Sequence, residues 1–283
     1  MKRVALINDL SGFGKCSLTA AIPVISVMGM QACPFPTAIL TAQTGFDNYY
    51  CDDYTSKMQI FTDYWKEMQI SFDGIYSGYL AGHRQIEKVL NFLKVFRTED
   101  VFFLADPVLG DQGELFKNFD HQLVEEMKQL TEQADVITPN LTELCLLADM
   151  DYFELLKHKD SGDYVEKIYQ AGSLLLKKAK RNQTIIVTGI LTNKGEKERI
   201  GNMVIDADGY YYRDMHYTGK SFSGTGDLFA SVVCAAMLKG MSAAKAVDKA
   251  IYFLQEAIDE ATRENIPTVH GVYFEKYLHR LWE

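Results

Sequence analysis

The segment with the most specific chemistry in this sequence is Ser223-Gly224-Thr225-Gly226-Asp227, which runs directly into an apolar stretch of helical period. Its two glycines allow the backbone to approach a bound molecule closely, and the N–H groups at the start of the following helix favour an anion. The segment therefore predicts an anion-binding loop, although it lacks the lysine of a P-loop. A carboxylate at the position of Asp227 is commonly a helix cap or a partner of the helix dipole.

A second segment places two carboxylates directly after an apolar run. Asp106 and Asp111 begin and end the sequence Asp-Pro-Val-Leu-Gly-Asp, which follows the predicted strand Val101–Ala105. Ligands of open α/β sheets bind at the carboxyl ends of parallel strands, and carboxylate oxygens suit Mg²⁺. The segment predicts a metal site, with an ordinary Asp-Pro turn as the alternative.

Two further strand ends carry polar side chains. Asn140 and Glu143 have the spacing of a capping box at the start of a helix. Thr188 ends another predicted strand and precedes Gly189, which by itself indicates a turn.

Glycines also follow the first predicted strand. Gly12 and Gly14 are two residues apart, but Ser17 occupies the position where a dinucleotide-binding fingerprint needs its third glycine. The sequence therefore disfavours a Rossmann dehydrogenase. Cys16 has no ordered histidine partner, and we interpret it as a small packing residue.

Short apolar runs alternate with segments of helical period, which predicts βαβ units and a largely parallel sheet covered on both faces. The predicted strands are Arg3–Ile7, Ala32–Ala38, Gly74–Ser77, Val101–Ala105, Val136–Thr138 and Ile185–Thr188. The predicted helices are Lys15–Met28, Asp53–Met68, Gln85–Arg97, Asp120–Glu132, Thr142–Ala148, Tyr164–Ala179, Asp227–Lys239 and Ala243–Arg263. An Asp-Gly turn at Asp208-Gly209 predicts a small antiparallel hairpin near residues 198–216. Since no Pro/Gly/Ser-rich linker divides the chain, we expect one domain, 1–283.

Composition excludes several classes of protein. The 283 residues are 47% hydrophobic and 24% charged, which is typical of soluble globular proteins and excludes a disordered chain. The net charge of −9 disfavours nucleic acid as a partner, and an anionic substrate would need local donors or a divalent cation. The longest apolar run, Leu228 to Leu238, is too short to span a membrane. Five widely spaced cysteines indicate reduced thiols, and we expect a cytoplasmic protein.

Taken in order, the segments 106–111, 140–143, 188–189 and 224–227 resemble the pyridoxal kinase (vitamin B6 kinase) branch of the ribokinase-like superfamily, over roughly residues 4–260. The resemblance implies a three-layer α/β sandwich that transfers a phosphoryl group from ATP. It implies that Asp227 takes the proton of the substrate hydroxyl while the backbone of Gly224, Thr225 and Gly226 forms an anion hole. The implied ATP-binding residues are Asp106, Asn140, Glu143 and Thr188, and the implied Mg²⁺ residues are Asp106, Asp111 and Glu143.

The acceptor is then the hydroxymethyl group of pyridoxal, pyridoxine or pyridoxamine. The resemblance places it beside Asp9, Ser11, Thr37, Gln43, Thr44 and Tyr79. Asp9 stands where many pyridoxal kinases have a serine and Gln43 where a histidine is usual, and both changes fall in the vitamin pocket. A hydroxymethylpyrimidine kinase and a non-catalytic vitamin-binding protein are the alternatives. A monovalent cation near the nucleotide and a homodimer are further implications of the resemblance.

Overall fold

The computed structural model describes residues 1–117, 119–194 and 197–282. Contacts divide the chain into two compact units. Unit 1 comprises Met1–Leu104 and Lys220–Glu283, and unit 2 comprises Ala105–Gly219. The predicted domain 1–283 includes Asn118, Gly195, Glu196 and Glu283, which lie outside the described residues.

The described residues form strands and helices that alternate along most of the chain. The strands are β1 (Arg3–Ser11), β2 (Gln31–Leu40), β3 (Cys51–Asp53), β4 (Gly74–Ser77), β5 (Phe102–Ala105), β6 (Gly110–Asp111), β7 (Glu114–Leu115), β8 (Val136–Ile137), β9 (Thr184–Lys194), β10 (Lys197–Asp206) and β11 (Gly209–His216). The helices are α1 (Ser17–Val27), α2 (Thr55–Glu67), α3 (His83–Phe96), α4 (His121–Thr131), α5 (Leu141–Ala148), α6 (Tyr152–Leu156), α7 (Tyr164–Lys178), α8 (Thr225–Leu238) and α9 (Ala243–Arg263). Two 3-10 helices follow, Thr268–His270 and Phe274–Leu281.

The sheet of unit 1 has the strand order β5-β4-β1-β2-β3. β1 runs parallel to both β2 and β4, whereas β3 pairs antiparallel with β2. Four consecutive residues of β1, Val4 to Ile7, have no exposed surface. Because successive side chains of a strand point to opposite faces, this burial means that both faces of β1 are covered.

Helices of unit 1 provide that cover. α1 packs against β1, β2 and α8, and α9 packs against α8. α2 and α3 pack together around a cluster of aromatic rings whose neighbouring centroids lie 4.6 to 6.1 Å apart. The cluster comprises Phe35, Phe61, Trp65, Phe72, Phe92 and Phe96. Such edge-to-face and tilted packing stabilises the interior between α2, α3 and β2.

Unit 2 contains the strand order β11-β10-β9-β8, in which β8 and β9 are parallel and the others antiparallel. The predicted hairpin is confirmed, because Asp206 pairs with Gly209 across the turn between β10 and β11. Gly209 has a φ of 135°, a backbone conformation that favours glycine at this turn. β9 extends beyond the predicted Ile185–Thr188 because it also pairs with β10. β6 and β7 form a separate two-stranded sheet that the sequence pattern did not predict.

Sequence pattern located the eight long helices to within two residues at each end. The shorter elements β3, β6, β7 and α6 were missed, because segments of two to five residues carry too little periodicity to be recognised. In the described part of the chain, no helix is both long enough and apolar enough to cross a membrane.

Candidate active site

The predicted anion-binding loop lies at the start of α8. Gly224 precedes the helix with a φ of 79°, and a Cβ there would collide with the carbonyl oxygen of Lys15. Gly226 differs, because a Cβ built on it would meet no atom within 4 Å. The N–H groups of a first helical turn have no partners within the helix. The Thr225 N–H makes a long hydrogen bond of 3.4 Å to the Phe222 carbonyl, and those that follow it are available to an anion in the open space beside Gly226. Thr225 fixes the loop through a 2.8 Å hydrogen bond from its hydroxyl to the carbonyl of Phe222.

Asp227 lies in the first turn of α8 and is half-buried. Its Oδ1 accepts a hydrogen bond of 3.1 Å from Asn8 Nδ2, and the backbone N–H of Ser17 also donates to the carboxylate. Burial, together with the nearby charge of Asp9, raises the pKa of Asp227 to about 6, against the lowering effect of those donors. A carboxylate with this pKa can accept a proton near neutral pH, as a general base does.

The loop that supplies the Ser17 donor is conformationally strained. Gly14, Lys15 and Ser17 have φ values of 120°, 50° and 52°, and for the last two residues this left-handed region is unfavourable. Such strain persists where surrounding contacts fix it, which is common beside functional groups. Within the same loop, burial and the charge of Asp227 raise the pKa of Cys16 to about 12. The Cys16 thiol therefore stays protonated, in agreement with its interpretation as a packing residue.

Asp9 occupies an irregularity in the pairing of β1 with β2. Asn8 pairs with Pro36 but Leu10 pairs with Ile39, so two residues of β2 stand opposite Asp9. Such bulges redirect side chains next to functional sites. Asp9 is 5% exposed and accepts a 2.8 Å hydrogen bond from the hydroxyl of Ser11. Burial raises its pKa, while the hydroxyls of Ser17 and Ser11 lower it.

The other predicted acceptor residues differ in how they are placed. Thr37 is fully buried, and its hydroxyl donates to the carbonyl of Tyr79 at 3.1 Å, so it supports the loop after β4. The Tyr79 phenol is half-buried, and burial with the nearby Asp9 charge raises its pKa to about 12. Thr44 is exposed on the loop after β2.

The side-chain amide of Gln43 bonds to the protein on both sides. Its Oε1 accepts from the N–H of Gly45 at 2.7 Å, while Nε2 donates to Ser223 Oγ at 3.2 Å and to the Val269 carbonyl at 2.9 Å. The side chain is 7% exposed and packs against Gly14, where a Cβ would collide with Gln43 Cγ. Gln43 thus ties the loop after β2 to the residue that precedes the anion-binding loop.

The remaining candidate residues belong to unit 2. Asp106 is 9% exposed and accepts a 2.8 Å hydrogen bond from the hydroxyl of Thr138. Glu143 is 4% exposed, and its two oxygens accept from the N–H groups of Leu109 at 3.0 Å and Asn140 at 2.8 Å. Burial and the neighbouring Asp106 charge hold the pKa of Glu143 well above its usual range. Two buried carboxylates that repel each other in this way are suited to a divalent cation.

Asn140 and Glu143 form the capping box that their spacing predicted, since Asn140 Oδ1 also accepts from the Glu143 N–H at 2.9 Å. Asn140 Nδ2 donates to the Gly110 carbonyl at 2.8 Å. Thr188 lies alongside Asn140, with its N–H bonded to the Pro139 carbonyl at 2.9 Å.

Asp111 is exposed, whereas Asp106 and Glu143 are buried. It lies on the hairpin β6–β7, where its Oδ1 accepts from the N–H of Gln112 at 2.8 Å. Among the residues that the structure describes, no three His, Cys, Asp or Glu side chains form a cluster that could hold a metal. A cation held by these carboxylates would therefore need further oxygen ligands from water and phosphate, as Mg²⁺ takes.

Sequence reasoning predicted no contact for three residues of the site: Asn8, Ser17 and Ser223. The signal for Asn8 was its position directly before Asp9 at the end of the first strand. Ser17 acts through its backbone N–H, and Ser223 acts through a residue 180 positions away, so neither contact has a local sequence signature.

Comparison with known proteins agrees with this fold. The fold and the loop ahead of α8 define a ribokinase-like α/β protein, which confirms the predicted fold class. The family model described as phosphomethylpyrimidine kinase matches residues 14–272. The chain belongs to this family.

Three solved structures, of two proteins, each match 99% of this chain. A protein of Bacteroides thetaiotaomicron VPI-5482, named as a candidate phosphomethylpyrimidine kinase, is 38% identical, with 93% of its own chain covered and a TM-score of 0.91. A second crystal form of it, with pyridoxal, has a TM-score of 0.88, with 37% identity and 95% coverage. Pyridoxal kinase of Lactobacillus plantarum is 26% identical, with 96% of its chain covered and a TM-score of 0.86.

Among curated proteins, pyridoxal kinase of Dictyostelium discoideum is 27% identical over 70% of this chain and 66% of its own length. The chain spans about half the length of several curated relatives that it matches.

Proposed function

We propose that this chain transfers the γ-phosphoryl group of ATP to the hydroxymethyl group of a vitamin B6 vitamer, giving the 5'-phosphate and ADP. The observation that carries the proposal is the placement of Asp227, a half-buried carboxylate of raised pKa in the first helical turn beside the open space at Gly226. Membership of the family and the similarity to pyridoxal kinases support the same reaction.

On the acceptor side, Asp227 accepts the proton of the vitamer hydroxyl as its oxygen attacks phosphorus. The N–H groups of the loop at Gly224, Thr225 and Gly226 stabilise the charge on the transferring phosphoryl group. Asp9, Ser11 and Tyr79 offer polar groups to the vitamer ring. Since Asp227 must be ionised to act, activity falls as the pH drops through about 6.

On the nucleotide side, we assign Asp106, Asn140, Glu143 and Thr188 to Mg²⁺-ATP. Asp106, Asp111 and Glu143 would hold Mg²⁺ directly or through water. When bound, Mg²⁺ offsets the negative charge of the phosphates. The cation would thus offset the repulsion that an anionic nucleotide meets from a chain of net charge −9.

A hydroxymethylpyrimidine kinase is the second candidate, and the description of the matching family model favours it. Both reactions use the same base and the same metal. The two candidate functions therefore differ only in how the protein contacts the ring of the acceptor. Parallel measurements of kcat/KM with pyridoxal, pyridoxine, pyridoxamine and hydroxymethylpyrimidine test the assignment. We expect a B6 vitamer to dominate. A dominant pyrimidine would assign the second function, and no ADP formation with any acceptor would indicate a vitamin-binding protein.

Three finer features complete the proposal. The resemblance to B6 kinases supports a homodimer and a monovalent cation near the nucleotide, and reduced cysteines support a cytoplasmic location. Light scattering of the purified chain tests the dimer, and activity in potassium against a tetraalkylammonium salt tests the cation.

A further inference from the structure

The side chain of Asn8 contacts the proposed base, Asp227, and links it to the backbone at the ends of β1 and β4. The residue is 1% exposed at the carboxyl end of β1. Its Nδ2 donates to Asp227 Oδ1 at 3.1 Å, and its Oδ1 accepts from the N–H groups of Asp9 at 3.0 Å and Tyr79 at 2.9 Å. The amide orientation is thereby fixed, because two backbone donors occupy the oxygen and leave the nitrogen facing the carboxylate.

Packing also holds this side chain in place. A Cβ at Gly78 would collide with Asn8 Nδ2, so the glycine after β4 gives the amide the room that it occupies. Leucine or aspartate would not reproduce the arrangement, since Asp227 needs a donor at this point. A donor to a carboxylate stabilises its ionised form and orients its oxygens.

We propose that Asn8 is a positioning residue for phosphoryl transfer, which orients the Asp227 carboxylate and donates a hydrogen bond to its ionised form. This inference rests on the proposed function for its kinetic consequence but not for its effect on the carboxylate. Asp9 and Cys16 are the titratable groups that face Asp227 from β1 and from the loop before α1. Asp9 opposes ionisation of Asp227, and the thiol of Cys16 stays neutral, so the Asn8 and Ser17 donors are what offset burial.

The experiment compares Asn8→Asp and Asn8→Ser with the wild type. Aspartate keeps an oxygen for the N–H groups of Asp9 and Tyr79 but removes the donor, whereas serine shortens the side chain without adding charge. The matched control is Ser231→Ala, which removes a 2.6 Å hydrogen bond to the backbone carbonyl of Asp227 and leaves its carboxylate untouched.

Two readouts are needed: the carboxyl ¹³C chemical shift of Asp227 as a function of pH, without substrates, and the pH profile of kcat. We expect both Asn8 variants to raise the pKa of Asp227 by about one unit or more, since each removes a hydrogen bond that favours the charged form. Aspartate also adds a repelling charge, so Asn8→Ser is the variant that isolates the hydrogen bond. The acid limb of kcat should move by the same amount. Ser231→Ala should move neither.

An unchanged Asp227 titration in a folded Asn8→Asp or Asn8→Ser protein would overturn the inference. If both variants fail to fold, the coupling of the Asn8 side-chain amide resonances to the Asp227 titration in the wild-type protein decides it. The chemical shifts of this amide should change with pH as Asp227 titrates. Amide shifts that do not change over that pH range would also overturn the inference. A wild-type protein without kinase activity would instead defeat the proposed function and leave the NMR result standing.

Discussion

Gln43 and Ser223 are joined by a hydrogen bond of 3.2 Å from Nε2 to Oγ, which links the loop after β2 to the residue before Gly224. The second Nε2 contact, to the Val269 carbonyl, adds a third chain segment. Beside this junction, the rings of Phe13, Phe46 and His270 lie 5.2 to 5.7 Å apart. The junction therefore holds the loops around the anion-binding segment in one arrangement.

Gln43→His should slow turnover of all B6 vitamers by a similar factor, because the amide bonds to protein groups and fixes a loop. Asp9→Ser should instead change the ratio of kcat/KM among pyridoxal, pyridoxine and pyridoxamine by roughly tenfold or more, since an unpaired buried polar group discriminates strongly. Steady-state kinetics with the three vitamers measure both effects. Vitamer ratios altered by Gln43→His would place Gln43 against the ring, as the sequence resemblance implied.

Asp227→Asn should reduce kcat by about 10²–10⁴, the usual contribution of general acid–base catalysis. The amide keeps the shape of the side chain but cannot accept the proton. Circular dichroism should show an intact fold, and Ser231→Ala serves as the control on the same helix. Near-full turnover would return Asp227 to the role of a helix-start residue.

The same variant should gain stability relative to the wild type as the pH rises. The pKa of Asp227 in the folded chain, about 6, exceeds its ordinary value of 3.8, so the folded state binds the proton more tightly. The wild type therefore loses stability progressively as the pH rises from about 4 to about 6, by roughly 1–3 kcal/mol in total. Urea unfolding of both proteins at pH 4 and pH 8 tests this. A difference between the two proteins that does not change with pH would contradict it.

Gly224→Ala and Gly226→Ala should separate folding from phosphate binding. At Gly224 the positive φ and the clash with Lys15 make alanine destabilising. At Gly226 alanine has room in the free protein, so stability should change little. The added methyl group would occupy the space beside the first-turn N–H groups, so kcat should fall. Thermal unfolding and kcat, measured on both, give the comparison. Full activity in Gly226→Ala would place the phosphoryl group elsewhere.

The double change Asp106→Asn and Glu143→Gln should weaken the use of Mg²⁺-ATP more than vitamer binding. Both carboxylates lie in unit 2, and the charge that repels one from the other is what a divalent cation offsets. The Mg²⁺ concentration for half-maximal rate should rise, while vitamer affinity measured without nucleotide stays constant. An unchanged Mg²⁺ requirement with weaker vitamer binding would show that these residues do not belong to the metal site.

The sequence by itself determined the order of strands and helices and the segments that carry polar groups. Hydrophobic period and turn residues are local properties, so the eight long helices, the hairpin at Gly209 and the capping box of Asn140 and Glu143 could be predicted from short windows. The resemblance at residues 106–111 and 224–227 added the chemistry that these windows could not supply.

Tertiary structure alone decided what each polar group contacts and how it ionises. Asn8 meets Asp227 across 219 positions and Gln43 meets Ser223 across 180, and no local pattern encodes such pairs. The raised pKa of Asp227 has the same origin, since desolvation depends on every chain segment that surrounds the carboxylate. Sequence therefore named the candidate base, and packing of distant segments gave it a donor, an orientation and a pKa near neutrality.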